Sequence, residues 1–328
     1  VNIARLAAVT SIAILGLLMG GGVASGEPAA APRHLGPIVT LNNGSVVVRV
    51  APAIGRIVGF QRPPEDNWLA VTDEATPPEA DYKPWGGDRI WPLLIPYAPQ
   101  ALGHTNFDLA IESGPWTVTE SGPRVLEMTS PDSPRLKLRI VRRVELPATG
   151  NAVIHRIRLE RFADNPFPVQ VWAVTSINPA DAVLMDRDPR IRQVDAQPYK
   201  TWLHVWPEEP RARLFPPPGA LRVEFPRATI KIATYGTWIA LLKKSSAFLQ
   251  TIAYDPAAFY PDESSLQFYS EAGRGLHELE TLSPSWFLRA GESREWTIRW
   301  TLLDFPEDAA TDEQRATHLA TLARVPLP

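Results

Sequence analysis

Two glutamates, Glu278 and Glu280, stand two residues apart in the run Leu276-His277-Glu278-Leu279-Glu280-Thr281. Read as a strand, this run points successive side chains to opposite faces. Leu276, Glu278 and Glu280 then share one face, and His277, Leu279 and Thr281 the other. Carboxylates two positions apart on a strand sit roughly 7 Å apart, so each raises the cost of ionising the other. That is one way to hold a carboxyl in its neutral form for acid–base work. The same spacing also fits two carboxylates facing solvent on an outer sheet, where charged residues mostly lie.

The second chemically rich stretch is Trp85-Gly86-Gly87-Asp88-Arg89-Ile90-Trp91-Pro92. Paired glycines allow a tight turn or the close approach of a ligand. Asp88 supplies acceptors and Arg89 a planar donor fork, both suited to sugar hydroxyls, and Trp85 and Trp91 offer flat apolar faces for a pyranose ring. An ordinary turn, with an Asp–Arg ion pair between packed indoles, is the competing reading. His104 follows thirteen residues after Trp91 and titrates near neutrality, as an acid–base group or as an exposed loop histidine. His204, between Trp202 and Trp206, is placed to line an aromatic groove. His155 falls in an alternating strand and reads as structural, while His34 and His318 carry no case.

Arg135, Lys137, Arg139, Arg142, Arg143, Arg156, Arg158 and Arg161 make two consecutive strands basic. Alternation puts most of them on a solvated face; the other reading is contact with an acidic polysaccharide. There is no Gly-x-Ser-x-Gly elbow, no phosphate-binding glycine loop and no His-Glu-x-x-His, since Thr281 stands four residues after His277. No dedicated metal site is expected.

These residues have to be positioned by a chain of 328 residues, 45% of them hydrophobic, which is ample for a large core. Its 34 prolines favour loops and edge strands over helix interiors. The absence of cysteine excludes disulfides, thiolate catalysis and zinc–thiolate sites. A formal charge of -3 gives no electrostatic reason to bind nucleic acid. Residues 1–26 differ from the rest: Arg5 is their only charge, residues 6–19 form an apolar run, and small residues follow. This layout reads as a secretory signal peptide cleaved near Ser25 or Gly26, placing the protein in the periplasm or outside the cell. The run is shorter than the ~20 residues of a spanning helix, so no membrane span is expected after cleavage; an uncleaved anchor is the alternative.

Residues 27–37 read as a flexible leader and residues 38–328 as one domain. Asn42-Asn43-Gly44 supplies the positive φ angles of a hairpin turn between strands at 38–41 and 45–52. Strand patterns recur at 56–61, 116–120, 125–128, 136–146, 153–162, 169–176, 221–225, 229–234, 238–242, 248–254, 266–269, 276–281 and 296–302. Proline-rich connections cover 61–85 and 207–219. Thr311 with Gln314 makes a capping box for one C-terminal helix. The fold expected is all-β: an extended antiparallel β-sandwich with one short C-terminal helix.

Three stretches together resemble a bacterial family, DUF4380: Gly86-Gly87-Asp88-Arg89-Ile90-Trp91-Pro92, Val171-Trp172-Ala173-Val174-Thr175, and Glu278-Leu279-Glu280-Thr281-Leu282-Ser283-Pro284 followed by Ala290-Gly291-Glu292-Ser293. That family is similar to the galactose mutarotase-like superfamily of aldose 1-epimerases and hexose-phosphate epimerases. The resemblance spans about residues 44–303 and implies the galactose mutarotase-like supersandwich, a mono- or oligosaccharide ligand and no cofactor. In the epimerases a Glu followed by Thr on a late strand is the catalytic base, which matches Glu280-Thr281. A downstream histidine that contacts the sugar corresponds to His104, a candidate proton donor. Asp88, Arg89, Glu278 and His204 would bind sugar hydroxyls, with Trp85 and Trp91 as walls. The chain departs from the pattern at one point. Epimerases carry an acid histidine in an Asn-His-x-Tyr-Phe segment, and here the corresponding region is Thr175-Ser176-Ile177-Asn178-Pro179. The readings are therefore an epimerase-like enzyme or a carbohydrate-binding protein that has lost the acid, with a polysaccharide lyase or hydrolase a distant third.

Overall fold

The computed structural model describes residues 35–72, 84–92, 108–190, 199–201, 212–214, 219–225 and 229–328. The leader with His34, the segment carrying His104 and the segment carrying His204 lie outside the described residues.

Alternating apolar side chains and closely spaced turn residues give nineteen strands among the described residues. They are β1 (Val39–Asn42), β2 (Val47–Ala51), β3 (Arg56–Gln61), β4 (Asp88–Trp91), β5 (Thr117–Ser121), β6 (Val125–Thr129) and β7 (Leu138–Glu145). Then follow β8 (Ala152–Arg161), β9 (Trp172–Ser176), β10 (Ala182–Met185), β11 (Lys200–Thr201), β12 (Ala212–Leu214) and β13 (Leu221–Val223). The last are β14 (Ile230–Thr234), β15 (Trp238–Lys243), β16 (Ser246–Ile252), β17 (Leu266–Glu271), β18 (Leu276–Leu282) and β19 (Ser293–Asp304). Two helices accompany them, α1 (Leu109–Ser113) and α2 (Asp312–Ala323). Thr311 and Gln314 close the capping box on α2, with reciprocal bonds of 3.3 and 2.9 Å.

The strands form two antiparallel sheets. One has nine strands in the order β1-β2-β3-β4-β9-β18-β17-β14-β11, and the other ten, in the order β12-β13-β10-β15-β16-β19-β8-β7-β6-β5. Their facing sides enclose the main core, which includes Phe60, Phe248, Phe268, Trp300 and Ile157. Phe60, Phe248 and Trp300 contact one another edge to face or tilted, with centroids 5.1 to 5.6 Å apart. A second apolar cluster on the outer side of the ten-stranded sheet, with Trp238, Ala240, Leu242 and Leu249, is covered by Ala316 and Leu319 of α2. The architecture is the expected all-β sandwich with a C-terminal helix. The short helix α1 is an addition to it, capped by Asp108, which accepts from the backbone N–H groups of Ala110 and Ile111.

Most of the eight basic residues do lie on the solvated face, and two are buried. Arg139 and Arg143 point outward, but Arg142 lies at an inward position of β7 and is 0% exposed. Its guanidinium pairs with Asp88 and donates to the Asp88 carbonyl at 3.1 Å. Thr175 donates to Asp88 Oδ2 at 2.7 Å and in turn accepts from Gln250 Nε2 at 2.9 Å. A polar chain thus joins the two sheets through the hydrophobic core. Arg161 is also buried, and it donates to the Leu136 and Phe167 carbonyls at 2.9 and 3.0 Å.

Candidate functional site

Five neighbouring strands of the nine-stranded sheet, β4, β9, β18, β17 and β14, carry the chemistry. Their register sets three rows across the sheet. Trp91 lies opposite Trp172, which lies opposite Leu282. Arg89 lies opposite Val174, then Glu280, then Gln267. Ser176 lies opposite Glu278, then Tyr269, then Lys231. Alternation puts all of these on the side away from the main core, while Asp88, Ile90, Ala173, Thr175 and Leu279 turn inward.

Each glutamate of β18 is held by a cation two strands away, one on either side. Arg89 Nη2 donates to Glu278 Oε1 at 2.7 Å, across the small side chains of β9, and Ser176 Oγ reaches the same oxygen at 3.5 Å. Lys231 Nζ donates to both oxygens of Glu280 at 3.0 and 2.8 Å, and Trp172 Nε1 donates to Glu280 Oε2 at 2.7 Å. A parallel arrangement fixes the other indole. Trp91 Nε1 donates to Glu112 Oε2 at 2.8 Å, and Arg56 Nη2 donates to Glu112 Oε1 at 2.6 Å. Arg56 also donates to the Gly86 carbonyl at 2.9 Å. The two indoles meet edge to face, 4.8 Å apart at 72°. Arg89 stacks 4.4 Å over Trp91, and Lys231 lies 4.9 Å over Trp172. Each tryptophan is therefore locked by a carboxylate at its N–H and a cation over a ring.

Burial dominates the electrostatics. Glu280 is 1% exposed and Glu278 5%, whereas Lys231 and Tyr269 are half-buried and mark the side open to solvent. Burial pushes the Glu278 carboxyl above the usual carboxylate range; the Arg89 guanidinium opposes the rise and the Glu280 carboxylate adds to it. Asp262 is likewise raised by burial, with Lys231 opposing and Glu280 reinforcing, which places it in the field of the same pair. Among the described residues no group of three histidines, aspartates or glutamates is arranged to hold a metal ion. A separate cleft lined by Asp164, Asn165, Phe287, Arg289 and Arg294 touches none of these residues.

Of the residues singled out in the sequence, Arg89, Trp91, Glu278 and Glu280 come together here. Asp88 does not join them, because as the neighbour of Arg89 on a strand it points between the sheets to Arg142. Trp85 belongs to a different cluster, with Leu35, Ala51, Ile54 and Val58, and touches this network through Arg56, 5.4 Å over its ring. His104 and His204 lie outside the described residues. Lys231, Glu112, Arg56 and the role of Trp172 were missed. Lys231 had a signal: it is the one charge in the apolar strand Ile230–Thr234. Glu112 had none, since nothing near it in sequence distinguishes it from a solvated helix residue.

No protein-family model matches the chain, and no curated protein does. Solved structures do. A galactose mutarotase-like protein from Lactobacillus casei aligns with a TM-score of 0.53 at 9% identity, over 81% of this chain and 100% of that one. One from Clostridium acetobutylicum aligns with a TM-score of 0.52 at 9% identity, over 81% of this chain and 95% of that one. A galactose mutarotase related enzyme from Lactobacillus acidophilus aligns with a TM-score of 0.50 at 9% identity, over 83% and 99% respectively. The chain therefore has the galactose mutarotase-like fold, and at this identity the likeness is one of fold.

Proposed function

We propose that the protein recognises a carbohydrate on the outer face of β4, β9 and β18 and that it belongs to the DUF4380 line of mutarotase-like proteins. In its catalytic form the reading is aldose 1-epimerase chemistry, with Glu280 taking the proton of the anomeric hydroxyl. One observation carries it: Arg89 and Glu278, 189 residues apart in sequence, join across β9 beside Glu280 and two fixed indoles. Planar donors, carboxylate acceptors and aromatic faces are the groups a pyranose requires. The apolar run at residues 6–19 supports export to the periplasm or beyond.

Glu280→Gln tests the base. Anomer exchange of a cognate aldose, followed by NMR, should fall by about 10²–10⁴-fold while binding by calorimetry persists. Undiminished exchange in that variant removes Glu280 from the mechanism. A second reading, sugar binding without turnover, draws on the three hydrogen bonds that already engage both Glu280 oxygens. Wild-type protein that binds aldoses but leaves their exchange rate untouched would select it.

A further inference from the structure

We infer that Glu278 is the proton donor of this site, passing its proton to the ring oxygen of a bound aldose as Glu280 accepts one from the anomeric hydroxyl. The inference rests on the sugar-handling reading above. It concerns a role that reading leaves open, because residues 175–179 hold no histidine to protonate the ring oxygen and the other candidate donor, His104, lies outside the described residues. The geometry of β18 supplies an alternative. Glu278 and Glu280 share one face two positions apart, a span of roughly 7 Å. The ring oxygen and the anomeric oxygen are bonded to the same carbon. That span separates the Cα atoms of the two glutamates, and side chains carried two positions apart on one face can each reach one of those oxygens through a hydrogen bond of about 2.7 Å.

The two carboxyls are not equivalent. Glu280 receives three hydrogen bonds, two from an ammonium and one from an indole, which stabilise its charge. Glu278 receives both of its bonds on Oε1, and among the described residues Oε2 takes none. The groups facing Glu278 come from five strands: Arg56 of β3, Arg89 of β4, Ser176 of β9, Tyr269 of β17 and Lys231 of β14, with Glu280 on its own strand. Among these influences burial is the largest and favours the neutral acid, with Glu280 adding to it and the cations opposing. A carboxyl hydrogen-bonded on one oxygen, beside one gripped on both, gives the pair two different roles.

The step balances. Glu280 takes the proton from the anomeric hydroxyl, and the electron pair left behind forms the carbonyl at that carbon. The bond from this carbon to the ring oxygen breaks, its pair stays on the ring oxygen, and Glu278 protonates it. The aldehyde then rotates to present its other face. The reverse transfers close the ring to the opposite anomer and restore both carboxyls, so no co-reactant is consumed.

The test measures anomer exchange against pH across a panel of aldoses, for wild type and Glu278→Gln, with calorimetry for binding. Glutamine still accepts from Arg89 but has no acidic proton. Wild-type kcat/KM should fall as pH rises and the donor ionises. Glu278→Gln should lose about 10²–10⁴-fold in exchange at saturating sugar and show no such fall with rising pH. Exchange in the variant within tenfold of wild type overturns the donor and leaves the sugar reading standing. If the variant does not fold, the wild-type profile decides alone, since a rate that does not fall as pH rises also overturns the donor. Wild type that binds without accelerating exchange overturns the catalytic roles of both glutamates. Wild type that binds no aldose overturns the sugar reading, and this inference with it.

Discussion

His155 sits inside the sandwich with its ring 4.1 Å from that of Trp300 and is 0% exposed. Burial, helped by the nearby Arg142 cation, holds its pKa well below the ordinary histidine value. The folded protein therefore keeps it neutral, while the unfolded chain takes up a proton below about pH 6.5. Protons bound only in the unfolded state make stability rise with pH. The stability His155 contributes is complete above that value and is lost as pH falls through it. Between pH 8 and pH 5 the loss from this one group is at most about 2 kcal/mol, the limit set by the unfolded-state pKa. Urea unfolding of wild type and His155→Leu at both pH values checks this. The variant should lose less stability on acidification, by up to that amount, because His277, also lowered by burial, stays in both proteins. Equal losses in the two would mean that His155 is protonated in the fold.

At the scale of elements, β4 decides what the early Asp-Arg pair does. Gly86 and Gly87 hold φ of +71° and +72°, which lets the chain turn sharply into β4 beside β3. A Cβ at Gly87 would meet the Ile57 carbonyl oxygen at 2.5 Å, so the turn has no room for a side chain. Once Asp88–Trp91 is a strand, alternation sends Asp88 to the core and Arg89 and Trp91 to the site. Sequence alone admits both charges at a ligand or paired with each other, because four residues, Asp-Arg-Ile-Trp, are too few for periodicity to identify a strand. Longer strands were legible: the patterns at 153–162, 276–281 and 296–302 correspond to β8, β18 and β19. So was the sharing of one face by Glu278 and Glu280. Partners such as Lys231 were not, because strand order within the sheet is a tertiary property.

Asp88 also pins β4 from below, and this too can be measured. Arg142→Met leaves a buried carboxylate without its cation, a change that costs about 3–5 kcal/mol. Asp88→Asn combined with Arg142→Met removes both charges and keeps an acceptor for Thr175, so most of that loss should return. Urea unfolding of the single and double variants checks the coupling. A single variant that loses less than about 1 kcal/mol would show that the pair contributes little to holding the sheets together.

For the molecule as a whole, the two outer faces of the sandwich are used differently. The ten-stranded sheet turns outward an apolar cluster around Trp238, Leu242 and Leu249, which requires a cover, and α2 supplies it. The nine-stranded sheet turns outward Arg89, Glu278, Glu280 and Lys231, interleaved with Trp91 and Trp172. Between them lies the main core, crossed by the Asp88–Arg142 pair. Damage to the helix-covered face should therefore lower stability without altering the site, because among the described residues no member of that cluster lies on β4 or β18. Leu319→Ala, at a position 0% exposed, should cost about 2–4 kcal/mol. Under conditions where the variant remains folded, its affinity for the proposed carbohydrate ligand by calorimetry should equal that of wild type. Arg142→Met, acting through β4, should weaken both stability and affinity. If Leu319→Ala weakened sugar binding as much as Arg142→Met does, the independence of the two faces would be wrong, and the core would have to transmit changes from one sheet to the other.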